Sequence, residues 1–147
     1  MNKVFKGIIN VILILVIILL ACYFALRLTG KIMIYNVETG SMEDKIHAGD
    51  YILLWKHDSY KVGDVITYNV DHYFVTHRII TIDDDKIITK GDANNLEDKE
   101  IHENQIIGKM IYCGGILNFI IKFKFAIISF LIGLYLLSCY IDKEKNK

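Results

Sequence analysis

The sequence predicts a mainly β fold, a coiled antiparallel sheet or small barrel flanked by N-terminal and C-terminal transmembrane helices. Three observations carry that expectation. Residues 7–26, GIINVILILVIILLACYFAL, hold no charged side chain over about twenty positions, the length a helix needs to cross a hydrocarbon core of roughly 30 Å. Residues 125–141, FAIISFLIGLYLLSCYI, form a second uncharged run at the short end of the spanning range, fenced by Lys122 and Lys124 before it and by Asp142, Lys143 and Glu144 after it. Between the two lie short runs rich in Ile, Val, Tyr and Thr, separated by Gly, Asp and Asn, with no helical stretch between them.

The first run is too long for the apolar stretch of a cleaved secretory leader. Leu19-Leu20-Ala21-Cys22 fits a lipoprotein cleavage box poorly at Leu20, and the apolar run continues past Cys22. Lys3, Lys6 and the amino terminus precede this span, Arg27 and Lys31 follow it, and Lys143, Lys145 and Lys147 sit in the tail. The slight excess of positive charge at the two ends favours both in the cytoplasm, which puts the middle outside the cell membrane. The expected division is an anchor at 1–30, an extracytoplasmic β domain at 31–121, and a helix with a short charged tail at 122–147.

Within the β domain, the expected strands are 31–37, 51–56, 64–70, 72–82, 86–89 and 106–112. Gly49-Asp50 and Gly63-Asp64 each precede one of them, and Gly91-Asp92 follows one, as tight turns at strand ends require. The chain is 53% hydrophobic with a net charge of zero, and it contains no proline. That neutrality hides a pattern, because residues 40–112 carry fourteen Asp and Glu against eight Lys and Arg. An acidic domain argues against a nucleic-acid partner, whose phosphates are bound by Lys and Arg. Lys at the ends suits lipid head groups. The three cysteines, Cys22, Cys113 and Cys139, show neither a disulfide framework nor metal-ligand spacing. No Cys-His cluster, His-x-x-x-His pair or glycine-rich phosphate loop appears, so no metal and no cofactor are expected.

Three pieces carry possible chemistry: Ser41, the run FVTHRII at 74–80, and KGDANNLED at 90–98. A serine hydroxyl needs a base to take its proton, and that base needs a carboxylate to hold its tautomer. Strand alternation places His77 on the face of Val75 and Ile79, toward the covered side, where desolvation favours the neutral imidazole. His47, His57, His72 and His102 lack such apolar flanks and read as surface residues. Each piece alone also has an ordinary structural reading as turn, strand or solvated loop.

Their order resembles a known family, the type I signal peptidases, in the branch found in archaea, the endoplasmic reticulum and some spore-forming bacteria. Gly40-Ser41-Met42-Glu43 resembles its nucleophile box. Ala48-Gly49-Asp50-Tyr51 and Val62-Gly63-Asp64-Val65-Ile66 resemble its Gly-Asp turn and strand, and Thr76-His77-Arg78-Ile79 its His-Arg strand. Thr89-Lys90-Gly91-Asp92, with Asn94, Asn95 and Asp98 downstream, resembles its Lys-Gly-Asp-Asn loop. The commoner bacterial branch has Lys where this chain has His77. One departure is Asp44, where the family usually carries proline.

The resemblance implies a serine endopeptidase that removes signal peptides from secreted preproteins by acyl-enzyme chemistry. It implies Ser41 as nucleophile, His77 as general base and acid, and Asp98 as the carboxylate supporting His77, with Asp92 as runner-up. The backbone N–H of Ser41 and the hydroxyl of Thr39 would meet the oxyanion. The resemblance also implies preproteins bearing signal peptides as partners. The apolar runs add the lipid bilayer, and only about a dozen residues separate Leu26 from Ser41, which keeps the serine close to it. The alternative from another class is a membrane-anchored binding or assembly module in which Ser41 and His77 are turn and core. A dedicated maturation peptidase of the same fold is a further alternative.

Overall fold

A computed structural model describes residues 3–43 and 45–145, so Asp44, the departure noted above, lies outside the described residues. The chain divides into a helical unit drawn from its two ends and a β unit, Arg27–Asn118.

In the helical unit, α1 (Lys3–Leu28) takes up the first apolar run. Among the described residues it is the one helix long and apolar enough to cross a membrane by itself. The second run falls within α3 (Lys124–Lys145), which follows α2 (Gly115–Lys122). This segment reaches spanning length only if α2 and α3 count as one span bent by 69°. The expected second transmembrane helix over 125–141 is therefore not confirmed as a span of its own, because the charges that fence the run at Lys124 and Asp142 leave it just below the roughly twenty residues of a membrane helix. Ser138 on α3 is buried and donates to Asn10 Oδ1 on α1 at 3.3 Å, which satisfies two polar groups among apolar neighbours.

The β unit is a seven-stranded antiparallel sheet: β1 (Ile32–Asn36), β2 (Tyr51–Trp55), β3 (Val65–Val70), β4 (Tyr73–Asp83), β5 (Lys86–Lys90), β6 (Ile101–His102) and β7 (Ile106–Cys113). The spatial order is β1-β2-β7-β3-β4-β5-β6. Six strands coincide with the expected runs within a residue or two, and the two-residue β6 is an addition. The β3–β4 hairpin closes on Asp71 and His72 with φ of 47° and 72°, the doubly left-handed two-residue turn that matches strand twist.

Both Gly-Asp turns use the same device. Gly49 and Gly63 adopt φ of +91°, and the following aspartate folds back to accept from a backbone N–H three residues earlier. Asp50 Oδ2 accepts from His47 N at 2.9 Å and Asp64 Oδ2 from Lys61 N at 3.1 Å. The His47 N–H holds the Asp50 carboxyl below its usual pKa. Asn118 on α2 completes the first turn, donating to Asp50 Oδ1 at 2.6 Å and accepting from Tyr51 N at 2.7 Å.

Two clusters form the core. Ile66, Tyr68, Ile79, Ile87, Ile101 and Ile106 make one. Met42, Ile46, Ile52, Leu54 and Val65 make the other, beneath the turn that carries Ser41. On β2 the pleat buries Ile52 and Leu54 and leaves Tyr51, Leu53 and Trp55 half-covered. All three cysteines are free.

Leu54→Ala empties a fully buried site, and we expect it to cost about 2–5 kcal/mol. Leu53→Ala, on the half-covered face, should cost less than half as much. Denaturant unfolding of the full chain in detergent, followed by fluorescence of Trp55, the single tryptophan, measures both. Equal losses would contradict the assigned pleat.

Candidate active site

Ser41 sits in the first of the tight turns after β1, where Glu43 N donates to Gly40 O at 3.1 Å and Ile46 N to Met42 O at 3.1 Å. Met42 and Ile46 point into the core and are each 1% exposed, so the residue before Met42 is held at the surface. The loop after β5 clasps this turn from outside. Ala93 N donates to Ser41 O at 2.9 Å, and Asp92 N lies 3.4 Å from Met42 Sδ. Gly91 makes the approach possible, since a Cβ there would meet Ser41 O at 2.6 Å and Asn94 Nδ2 at 2.7 Å.

His77 lies on β4 and is 6% exposed, on the covered face with Ile79 as alternation requires. The other four histidines are exposed. His77 Nε2 stands 3.0 Å from Ser41 Oγ, and His77 Nδ1 stands 2.5 Å from Asp98 Oδ2. An ionised carboxylate only accepts, so the Nδ1–H bond to Asp98 leaves the Nε2 lone pair facing the serine hydroxyl. Thr39 Oγ1 lies 3.4 Å from Ser41 Oγ, which puts its hydroxyl beside the serine.

The two candidate carboxylates are separated by their partners. Asp98 meets the imidazole. Asp92 is occupied elsewhere, in a two-pronged pair with Arg78: Nε donates to Oδ1 at 2.8 Å and Nη2 to Oδ2 at 2.6 Å. That guanidinium holds the Asp92 carboxyl below its usual pKa, with Lys45 Nζ also 4.0 Å away. Arg78 Nη1 further donates to Gly63 O at 2.8 Å, tying β4 to the second Gly-Asp turn.

Two residues at the site were not singled out from the sequence. Thr89 Oγ1 lies 2.7 Å from Asp98 Oδ2, and Tyr68 OH donates to the same oxygen at 3.1 Å. Thr89 opens the Lys-Gly-Asp box, which gave a position without a role. Tyr68 could be found only through the hairpin register, which pairs Ile66 with His77 and so puts Tyr68 diagonally across on the same face. Among the described residues, no group of three or more His, Cys, Asp or Glu is arranged to hold a metal ion.

A groove of about 660 Å³ runs up to Ser41 and His77, lined by Tyr35, Val37, Met42, Thr67, Phe74 and Thr76, among others. Two strand edges border it. β5 pairs with β4 only from Arg78 onward, so the Tyr73–His77 stretch has a sheet partner on one side alone, and β1 pairs only with β2.

Comparison with known proteins gives the chain a family. A family model described as Peptidase S24-like matches residues 18–111. The signal peptidase complex catalytic subunit SEC11 of Eremothecium gossypii is 40% identical over 70 residues, 42% of each chain. The SEC11 subunit of Metarhizium robertsii is 37% identical over 75 residues, 45% of this chain and 44% of its own. The rat subunit SEC11C is 28% identical over 125 residues, 69% of this chain and 65% of the relative. The chain thus spans under half the length of these fungal relatives and just under two thirds of the rat one. The matched family model runs through the Ser41 turn, β4 and the loop to Asp98: the chain belongs to the Peptidase S24-like family, and its relatives bear out the resemblance of its motif boxes to type I signal peptidases of the endoplasmic-reticulum-like branch.

Proposed function

We propose that this chain is a membrane-bound serine endopeptidase that cuts signal peptides from secreted preproteins, with Ser41, His77 and Asp98 as its catalytic residues. The observation that carries the reading is the continuous line of contacts from Ser41 Oγ through the imidazole to Asp98, at 3.0 and 2.5 Å. Ser41 attacks the scissile carbonyl as His77 Nε2 takes its proton. The carbon becomes tetrahedral, its oxygen charge met by the Ser41 N–H and the Thr39 hydroxyl. His77 then gives the proton to the leaving amine, the peptide bond breaks, and an acyl-serine remains. Water, deprotonated by His77, hydrolyses that ester and restores Ser41.

The substrate binds extended along the groove, where its backbone can pair with the free edge of β4 as an added strand. The same reading assigns 1–30 as anchor, 31–121 as the extracytoplasmic catalytic domain and 122–147 as a C-terminal transmembrane helix with a short charged cytoplasmic tail. A catalytic domain joined to an anchor by a short connection meets a substrate whose apolar segment is held in the same bilayer, so much of the orientation is supplied before binding. The SEC11 relatives are named as catalytic subunits of a complex, and the reaction proposed here is that of the catalytic subunit.

Ser41→Ala and His77→Ala should each lower preprotein cleavage in membranes by about a thousandfold or more while the protein still inserts. Cleavage by either variant at the parent rate would sink the assignment. The carboxylates separate in a second measurement. Asp98→Asn slows turnover sharply, whereas Asp92→Asn chiefly lowers the unfolding midpoint. Because the Asp92 pKa is lowered in the fold, its stabilisation is fully present above the ordinary value of 3.8 and is lost as the pH falls through the lowered value. The gap in midpoint between parent and Asp92→Asn should therefore be widest near neutrality and close in acid. A reporter fused after Lys147 should be active only as a cytoplasmic fusion, and an external signal would exclude the second span.

A further inference from the structure

The carboxylate that meets the imidazole is itself held. Its Oδ2 receives His77 Nδ1 and also lies within hydrogen-bond distance of two hydroxyls, Thr89 Oγ1 at 2.7 Å and Tyr68 OH at 3.1 Å. These hydroxyls come from different strands, Thr89 from β5 and Tyr68 from β3. Thr89 Oγ1 is also within donating distance of Tyr68 OH at 2.9 Å, so its single hydrogen reaches Oδ2 directly at the shorter 2.7 Å contact or through the Tyr68 hydroxyl. Thr89 is 0% exposed and Tyr68 3% exposed, so water cannot replace either donor, whereas the Asp98 side chain keeps 24% of its surface exposed. Left to itself, a partly exposed carboxylate would turn toward solvent. From the strand side, the two hydroxyls give it a reason to stay.

We infer that Tyr68 and Thr89 are positioning residues that fix Asp98 against His77 and set the basicity of the imidazole by sharing the charge of Oδ2. Each donated hydrogen draws negative charge from the oxygen that also accepts from Nδ1, and so weakens the pull of Asp98 on the imidazolium. The result is a base that is oriented without being made too basic to release its proton to a leaving amine. Burial pushes the Tyr68 phenol up to about 12, so it stays protonated and donating over any working pH. The other groups near the imidazole have contacts apart from Tyr68. Asp92 is met by Arg78 and Lys45, and Ser41 faces the opposite ring nitrogen. The role of these hydroxyls rests on the triad assigned above, and it names residues outside that triad.

The test is the full chain in detergent micelles with isotope-labelled histidine, its His77 imidazole titrated by NMR. This readout needs no substrate. Tyr68→Phe keeps the ring and removes one donor, while Thr89 still holds the carboxylate. The His77 pKa should rise by about half a unit or more. Thr89→Val should move it the same way, and Thr89→Ser, which retains the hydroxyl, should leave it at the parent value. With a preprotein substrate, the acid limb of kcat/KM should follow the same shift, with kcat down by roughly tenfold in Tyr68→Phe. Should Tyr68→Phe fail to fold, the Thr89→Val and Thr89→Ser pair reads the same shift. A His77 pKa that is unchanged or lowered in folded Tyr68→Phe and Thr89→Val overturns the inference. A parent protein that never cleaves a preprotein strikes the proposed function instead, and the two failures remain distinct.

Discussion

The candidate site depends on the clasp between the loop after β5 and the backbone of Ser41. Serine and histidine stand 36 positions apart in the chain, one in a turn and the other in a strand. The sheet fixes His77, but a turn standing outside the ladder has no such support. Its position comes from the Ala93 N–H bonded to Ser41 O, from buried Met42 beneath, and from the missing side chain at Gly91 that lets the two backbones meet. On the proposed reading, a displacement of about 1 Å between nucleophile and base would cost on the order of a hundredfold in rate, so the clasp would be part of the catalytic apparatus.

The pleat of β4 explains why histidine and arginine stand next to each other. Neighbouring residues of a strand point to opposite faces. His77 turns into the covered side toward Ser41 and Asp98, and Arg78 turns the other way to grip Asp92 and the carbonyl of Gly63. One dipeptide therefore supplies the imidazole and braces the loop that clasps the serine. Asp92 and Asp98, six positions apart on that loop, divide their work to match.

Much of this was legible in the sequence, and the omissions have physical causes. The long strands announce themselves by β-branched runs between Gly and Asp turns, and α1 by its unbroken apolar length. β6 does not, because two residues after the charged stretch Asp98-Lys99-Glu100 have no periodicity to read. The choice between Asp92 and Asp98 stayed open because it turns on which carboxylate the guanidinium takes, a contact across strands. Tyr68 and Thr89 look like ordinary strand residues until the register is known. The second apolar run was read as a transmembrane helix of its own; it lies within α3, and spanning length is met only together with α2 across a 69° bend, a backbone feature that composition does not report.

The free edge of β4 is the remaining feature that packing alone does not require. An unpaired strand edge invites association with other chains, and proteins usually cover or charge it. Here the stretch from Tyr73 to His77 is left open on the groove side, and β5 begins to pair only at Arg78, immediately beyond the histidine. Across the groove, Tyr35 of β1 and Phe74 of β4 bring their rings to 5.0 Å, so aromatic surface bridges the two edges. An extended peptide entering between them would part that ring contact and gain backbone hydrogen bonds in return. Its chain would then run along β4 toward His77, where the edge ends. On the proposed reading, the register at which β5 takes over would set how far a bound peptide travels before its carbonyl reaches the serine, so that the site of the cut is fixed by where the sheet resumes.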